Sequence, residues 1–182
     1  MMQLLDLAKK HNFDAIPRDQ WPMHLPPSVA SGLPAQDVAV FSVRDEHSDT
    51  AQFSERYSFS LDDCANTLIL RFARDGIEHH AAVVNLGSRR LDVNGAVKAL
   101  LAAKRVSFAK REVAAELTGM EFGGITAFGL PEGMKILVDE EVTKRKFVVM
   151  GAGYRRSKIL LDPNFLRGLA NTEVASLTLQ QA

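Results

Sequence analysis

Two apolar runs joined by an Asp-Gly pair constrain the fold of this chain most strongly. The runs are TLILRFA (67–73) and IEHHAAVVN (77–85), and Asp75-Gly76 lies between them. Asp-Gly readily adopts the positive-φ turn that connects adjacent antiparallel strands, so this pattern predicts a β-hairpin. We expect the core of the fold to begin with this hairpin, at about residue 64.

Short helices and strands are predicted to alternate after the hairpin. We expect strands at 106–108, 134–139, 146–150 and 158–161, and helices at 93–103, 110–117 and 163–169. Asp92 and Asp162 are placed to cap the first and last of these helices, and Gly119 to end the middle one. The connections are too short for repeated βαβ crossovers. The sequence therefore predicts an α+β fold with a curved, mixed sheet rather than a Rossmann sheet.

The first 48 residues carry a different pattern. Residues 2–11 have apolar side chains at helical spacing, whereas five prolines between residues 17 and 34 exclude a long helix there. We expect an irregular N-terminal arm over 1–48, which includes a short strand at 39–43. Asp49 is then placed to cap a helix that ends near Tyr57.

Length and composition predict one domain over residues 1–182. The chain has 46% hydrophobic residues but no run near the roughly 18 apolar residues that a membrane span requires, so we expect a cytoplasmic protein. A single cysteine, Cys64, excludes an internal disulfide and a Cys-rich zinc site. His79 and His80 would point to opposite faces of a strand, so we expect no metal site.

Charge is divided unevenly along a chain whose net charge is zero. Residues 86–160 hold 14 Lys and Arg against 8 Asp and Glu, a net charge of +6. A solvated basic face is the commoner explanation of such an excess, and a surface for nucleic acid is the alternative. The pattern leaves an anionic partner open.

Two motifs that suggest other chemistry do not fit. GAGYRR (151–156) follows a predicted strand, as a dinucleotide-binding motif does, but Arg156 occupies the position of that motif's third glycine. The residues after it are predicted to form a strand and not the helix that would bind the pyrophosphate, so nicotinamide binding is excluded. Cys64 could act as a nucleophile with a histidine base. A lone cysteine before a core strand is more often a small buried apolar group, and we favour that interpretation.

The order of motifs along residues 49–167 resembles a known family. RLDVNGAVKALLAAKRVSFA, LTGMEFGGITAFGLP, KILVDEEV and FVVMGAGYRRSKILLDPNFL follow one another in the chain. This series resembles the YbaK/ProX family of aminoacyl-tRNA deacylases, which are related to the editing domain of bacterial prolyl-tRNA synthetase. The resemblance implies a family core at 49–167 followed by a tail at 168–182, and a curved, barrel-like mixed sheet surrounded by helices. It also implies hydrolysis of the ester of mischarged tRNA, with tRNA as partner and no metal or organic cofactor.

The resemblance assigns the glycine-rich loop and its neighbours to a substrate pocket. The family's Gly-x-x-x-Pro loop corresponds to Gly123-Gly124-Ile125-Thr126-Ala127, in which the amides of Gly123 and Gly124 would stabilise an oxyanion. The residues implied to contact substrate are Thr67, Thr126, Ala127, Asp139, Gly151, Gly153 and Lys158. Among them, Asp139 ends a strand and is expected to hold the loops rather than act on substrate.

Two positions depart from the family pattern. The family's lysine at the start of the first core strand corresponds to Asn66, and Ala127 replaces the proline of the loop. Asn66 can hydrogen-bond substrate but carries no charge. Lys158 or Arg155 could supply a cation from the opposite wall of the pocket, but we slightly favour the alternative that both lie at the surface and contact phosphate, because Lys and Arg are seldom buried. The sequence leaves three functions open: a deacylase with an altered site, a noncatalytic tRNA-binding module, or a hydrolase of another small ester that uses Cys64.

Overall fold

A long β-hairpin forms the centre of the sheet, as the Asp-Gly pair predicts. The computed structural model describes residues 2–179. Strand β3 (Cys64–Arg74) pairs in antiparallel register with β4 (Ile77–Leu86), and Arg74 faces Ile77 across the turn. Asp75 and Gly76 have φ values of 51° and 77°, the left-handed conformation that a two-residue hairpin turn requires.

The sheet of the described residues has nine strands and is curled but not closed. The other strands are β1 (Asp14–Ala15), β2 (Val38–Ser42), β5 (Arg105–Phe108), β6 (Lys135–Asp139), β7 (Val148–Gly151), β8 (Ser157–Leu161) and β9 (Thr172–Ala175). Their order is β1-β2-β8-β7-β3-β4-β6-β9, and β5 pairs with β3. Three pairs are parallel, namely β3 with β7, β4 with β6 and β6 with β9, which confirms the mixed α+β architecture.

Helices flank the sheet and are short. They are α1 (Met2–Lys10), α2 (Trp21–His24), α3 (Pro27–Gly32), α4 (Thr50–Tyr57), α5 (Lys98–Leu100), α6 (Arg111–Thr118) and α7 (Glu140–Thr143). Among residues 2–179, no helix is long and apolar enough to cross a membrane.

Both ends of the chain take more part in the sheet than the sequence predicts. The N-terminal segment is broken by its prolines as expected, yet β1 pairs with β2 and β2 pairs with β8. The predicted tail contains β9, which pairs in parallel with β6. A four-residue strand whose partner lies more than thirty residues away leaves little local signal, so sequence patterning missed it.

Two predicted helices have a tighter or looser winding than expected. Asp92 does cap its helix, because its carboxylate accepts from the N–H groups of Gly95 and Ala96, but residues 93–97 form a π-helical turn before α5. Asp162 caps a 3₁₀ helix at Pro163–Gly168 instead of an α-helix.

An apolar cluster rich in aromatic rings packs α4 and the Leu4 and Ala8 side chains of α1 onto one face of the sheet. Phe13 and Phe41 are stacked with ring centroids 4.1 Å apart, and Phe53 and Phe59 pack against Phe13. Burial of four aromatic rings fixes α4 against the sheet. Phe53 therefore becomes a rigid wall for the space beside it.

Candidate active site

One edge of β3 is shared between two strands that diverge, and a cavity opens where they separate. The register pairs residues 64–65 with β7 and residues 70–73 with β5. Ala109 N–H donates to the carbonyl of Ile69, so odd-numbered residues of β3 direct their backbone groups to this edge. The N–H and C=O of Thr67 therefore face the gap between β7 and β5.

The cavity in this gap has a volume of about 540 Å³ and an apolar lining with few polar groups. The polar side chains are those of Asp49, Thr50, Asn66, Thr67 and Lys158, with Cys64 beside them. Phe53, Ile69, Phe108, Phe122, Ile125 and Met150 provide much of the apolar wall. An apolar cavity with a few convergent polar groups is the usual form of a small-ligand site.

Lys158 places an ammonium group in this cavity. Its side chain lies on β8, is only 6% exposed, and has Nζ 5.5 Å from the centroid of the Phe53 ring. Burial lowers the pKa of Lys158 from 10.5 to about 8, while Cys64 and Asp49 act in the opposite direction. Its ammonium forms no hydrogen bond or ion pair with the residues described, so the protein keeps an unneutralised cation here at a free-energy cost.

Arg155, the other predicted source of a cation, is held by carboxylates. Its Nε lies 2.8 Å from Asp45 Oδ1 and its Nη1 lies 3.0 Å from Asp49 Oδ1. Arg155 does not line the cavity described above. Asp49 is the N-terminal flanking residue of α4, as predicted, but its carboxylate binds Arg155 and makes no capping bond.

Asn66 is oriented by a residue that the sequence did not single out. Thr50 Oγ1 donates a hydrogen bond to Asn66 Oδ1, which turns the amide nitrogen away from Thr50. Asn66 Nδ2 has no acceptor among the residues described, and both residues line the cavity. The contact joins α4 to β3 across 16 positions, so no local pattern could have identified Thr50.

Thr67 contributes a second unpaired polar group. Its side chain is 7% exposed and lines the cavity. Its buried Oγ1 has no hydrogen-bond partner among the described residues. Buried polar atoms are nearly always paired, so an unpaired hydroxyl at a cavity wall favours a ligand that supplies the partner.

The two glycines assigned to an oxyanion hole have different roles. Gly123 has a φ of 89° and lines the cavity, and its N–H donates to no backbone carbonyl among the described residues. Gly124 N–H donates to Glu121 O at 2.9 Å and Gly124 O accepts from Gly153 N–H at 2.7 Å. The Gly124 N–H was expected to stabilise an oxyanion. It is instead occupied by the hydrogen bond to Glu121 O that closes the turn.

The second glycine turn packs directly against the first. A Cβ atom on Gly151 would lie 2.5 Å from Gly124 O, and one on Gly124 would lie 2.7 Å from the carbonyl carbon of Tyr154. Gly151 lines the cavity, whereas Gly153 packs against Pro26 and does not line it. The glycines thus allow the two loops to approach within backbone contact.

The remaining predicted residues lie outside the cavity. Thr126 and Ala127 are buried in the core behind the loop. Asp139 is fully buried, and it accepts hydrogen bonds from Leu177 N–H at 2.9 Å and Thr178 Oγ1 at 3.2 Å. Asp139 therefore anchors the segment after β9. That role agrees with the expected structural function rather than with substrate contact.

Cys64 lines the cavity as a thiol. It is 2% exposed, and burial raises its pKa from 9.0 to about 12, although the charge of Lys158 acts to lower it. The thiolate is the nucleophilic form, so this environment disfavours nucleophilic use of Cys64.

Among residues 2–179, no three His, Cys, Asp or Glu side chains are grouped so that they could hold a metal ion.

Comparison with known proteins identifies the family. A family model described as the aminoacyl-tRNA editing domain matches residues 45–169. Because this match spans more than half of the chain, the protein belongs to the aminoacyl-tRNA editing domain family, as its resemblance to YbaK/ProX proteins indicated. Among curated proteins, none matches the chain significantly.

Solved structures share the fold. One, provisionally assigned as a trans-editing enzyme for prolyl-tRNA synthetase, has a TM-score of 0.69 at 20% identity and covers 79% of this chain and 87% of its own. The hypothetical protein APE2540 has a TM-score of 0.71 at 23% identity, with 90% of this chain and all of that chain covered (100%). At these identities the likeness establishes the fold.

Proposed function

We propose that this protein is a trans-editing deacylase that hydrolyses the ester of mischarged aminoacyl-tRNA. Membership in the editing-domain family supports tRNA as the substrate class. The observation that carries the proposal is the buried, unneutralised ammonium of Lys158 in an apolar cavity. A cation in a water-poor site stabilises negative charge far more than one in water, and an ester develops that charge when it is attacked.

In the proposed reaction, the Lys158 ammonium takes the place of the lysine that the family has at the position of Asn66. Both residues line the same cavity, so a charge on β8 can act on a group that also contacts β3. The positive charge would thus come from β8 in this protein and from β3 in the family, and in both cases it would lie in the same site. Arg155 is unsuited to the role because two carboxylates already hold it.

Backbone donors complete the proposed oxyanion site. The proposed donors are the N–H of Gly123 in the glycine-rich loop and the N–H of Thr67, which faces the gap between β7 and β5. Both residues line the cavity. A donor of this kind contributes about 3 kcal/mol to transition-state stabilisation in a characterised hydrolase. Asn66 Nδ2 would hold the ester or a ribose hydroxyl, with Thr50 fixing its orientation.

Water is the proposed nucleophile. It adds to the ester carbonyl, the bond from the carbonyl carbon to the ribose oxygen breaks, and a proton from the water passes to that oxygen. The products are the free amino acid and the ribose hydroxyl. The ribose hydroxyl next to the ester would assist the proton transfer, and a cytoplasmic location would give access to charged tRNA.

The test is a deacylation panel. The protein is incubated with tRNAs that carry different wrong amino acids, and release of each amino acid is followed against the spontaneous rate. The proposal expects release from at least one mischarged tRNA and loss of that activity in Lys158→Met. Binding of charged tRNA with no release from any member of the panel would instead support a noncatalytic tRNA-binding module.

A further inference from the structure

Phe108 stands at the junction between the cavity and a second surface depression. It lines both, and Leu68 is the other residue they share. The Phe108 side chain is 54% exposed, and no aromatic or cationic side chain among residues 2–179 packs on its ring. A large aromatic ring left open at the mouth of a cavity has a face free for stacking.

The second depression continues into a third, which is lined by residues of β3, β4 and β5 and by the helical segment 93–100. The two share Asn94, Val106 and Ser107, so they form one groove between β5 and the helical segment 93–100. Strand β5 pairs with β3 alone in the described sheet, so no further strand of that sheet lies beside it. A continuous path therefore leads from the cavity, past Phe108, along β5.

The groove is basic, and most of its cations are not neutralised. Its walls carry Arg71, Arg89, Arg90, Lys98, Lys104 and Arg105 against Glu78 and Asp92. Arg71 pairs with Glu78, Arg89 pairs with Glu141, and Asp92 caps the adjacent helix. The other four cations form no ion pair with any residue in the described part of the chain.

Other basic residues of the 86–160 segment are paired with carboxylates or buried. Lys144 and Arg145 are matched by Glu140, Glu141 and Asp63, and Lys158 is buried. On the opposite side of the cavity mouth, the Arg111 guanidinium lies 5.1 Å from the centroid of the exposed Phe122 ring. The depression there contains Asp45, Glu112 and Glu121 beside its arginines. Charge complementarity thus favours the β5 groove for a polyanion.

We propose that the unpaired 3′ nucleotides of tRNA lie in the groove between β5 and residues 93–100. In this arrangement Phe108 stacks on a base next to the esterified nucleotide, and Arg90, Lys98, Lys104 and Arg105 contact phosphates. Stacking on an aromatic side chain and a basic track are the two general devices for binding single-stranded nucleic acid. The inference rests on the proposed function for the identity of the ligand, but it concerns binding and not hydrolysis.

The experiment uses uncharged RNA hairpins with the sequence of an acceptor stem, so that no ester is needed. One hairpin ends in an unpaired 3′ strand and the other is blunt, and binding is followed by fluorescence anisotropy. Phe108→Leu should weaken binding of the hairpin with the unpaired end about tenfold and leave the blunt hairpin unchanged. An equal effect on both hairpins, or an effect of Phe122→Leu in place of Phe108→Leu, would overturn the proposed path.

Charge is tested by salt dependence. The double variant Lys104→Gln and Arg105→Gln should reduce the slope of log affinity against log salt by about 1.4, the value for two contacts to single-strand phosphates. Lys9→Gln with Lys10→Gln removes two exposed cations of α1 and is the matched control. A slope that falls equally in both double variants refutes a dedicated groove.

Failure of this inference is distinguishable from failure of the proposed function. Deacylation is measured separately with charged tRNA. Absence of hydrolysis together with binding that depends on the unpaired end and on Phe108 would refute only the deacylase. Active hydrolysis with no effect of Phe108 or of the groove cations on affinity would refute only the groove.

Discussion

Lys158 and Cys64 line the same cavity, and burial moves their pKa values in opposite directions. The thiol pKa rises to about 12 and the ammonium pKa falls to about 8. At pH 7 the pair is therefore a neutral thiol beside a largely protonated amine. This state fits a cation that acts on substrate, and it does not fit a thiolate nucleophile.

Lys158→Met should stabilise the protein while it abolishes most hydrolysis. A shift from 10.5 to about 8 corresponds to about 3 kcal/mol of unfavourable burial, which an apolar side chain of similar length removes. The folded-state pKa lies below the unfolded value, so the free-energy cost of burying the charged amine is complete below pH 8. This cost decreases as the pH rises towards 10.5, because the folded protein then holds the amine uncharged. Urea unfolding at pH 7 and pH 10 measures the increase in the free energy of unfolding of Lys158→Met over the parent, which should be smaller at pH 10.

Lys9→Met, at an exposed position of α1, is the control for that measurement and should change stability little at either pH. A Lys158→Met variant that is less stable than the parent at pH 7 would show that the ammonium has a stabilising partner.

Hydrolysis above the spontaneous rate should fall as the pH rises through about 8. Deprotonation of Lys158 removes the positive charge that we propose stabilises the oxyanion. Lys158→Arg should keep its activity to higher pH because a guanidinium does not lose its proton in this range. The pH profile of kcat measures both, and a rate that increases through pH 8 would identify Lys158 as a general base.

The position of the cation should be exchangeable between β8 and β3. Asn66→Lys alone should give no gain, because it places a second positive charge in the cavity and further lowers the pKa of Lys158. In a Lys158→Met background, the same substitution should recover much of the lost rate. A double-mutant cycle in kcat measures this coupling. Asn66→Met in that background is the control, and equal activity of the two double variants would refute the exchange.

Thr50→Val should lower kcat about tenfold, because Asn66 loses the hydrogen bond that orients its amide, a change of about 1.4 kcal/mol. Thr50→Ser retains the hydroxyl and should restore the rate. Steady-state kinetics of the two variants, with Asn66→Ala for comparison, provide the test. Valine and serine variants with equal kcat would show that the hydroxyl has no positioning role.

Cys64→Ala should leave kcat within about twofold of the parent. The substitution removes one buried sulfur atom, so it should reduce stability by about 1 kcal/mol, as loss of a buried methylene does. Deacylation and urea unfolding of the same preparation separate the two effects. A folded Cys64→Ala protein without activity would restore the thiol as the nucleophile.

The elements that sequence predicted best are those with local causes. The Asp75-Gly76 turn specifies its hairpin from two residues, and Gly119 ends α6 with a φ of 67°. Strand β9 and the hydrogen bond from Thr50 to Asn66 depend on segments that meet only after folding. Neither leaves a periodic or turn signal in the chain.

The candidate site was predicted in part for the same reason. Family resemblance pointed to Asn66, Thr67, Gly123, Gly151 and Lys158, all of which line one cavity. It also pointed to Gly124, whose N–H donates a hydrogen bond to Glu121 O within the turn and is not free to bind substrate. A motif identifies which residues are near the site, but the direction of each N–H depends on the conformation of the whole loop.

The divergence of β7 and β5 from a single edge of β3 divides the cavity into two halves of different kind. Lys158 and Gly151 belong to the β7 and β8 side, whereas Phe108 and Ala109 belong to the β5 side. In the proposed deacylase, substitution of Ala109 can therefore alter the space for the aminoacyl group without moving the charged group. Under that proposal, the substrate range and the hydrolytic rate of this protein can change through separate mutations.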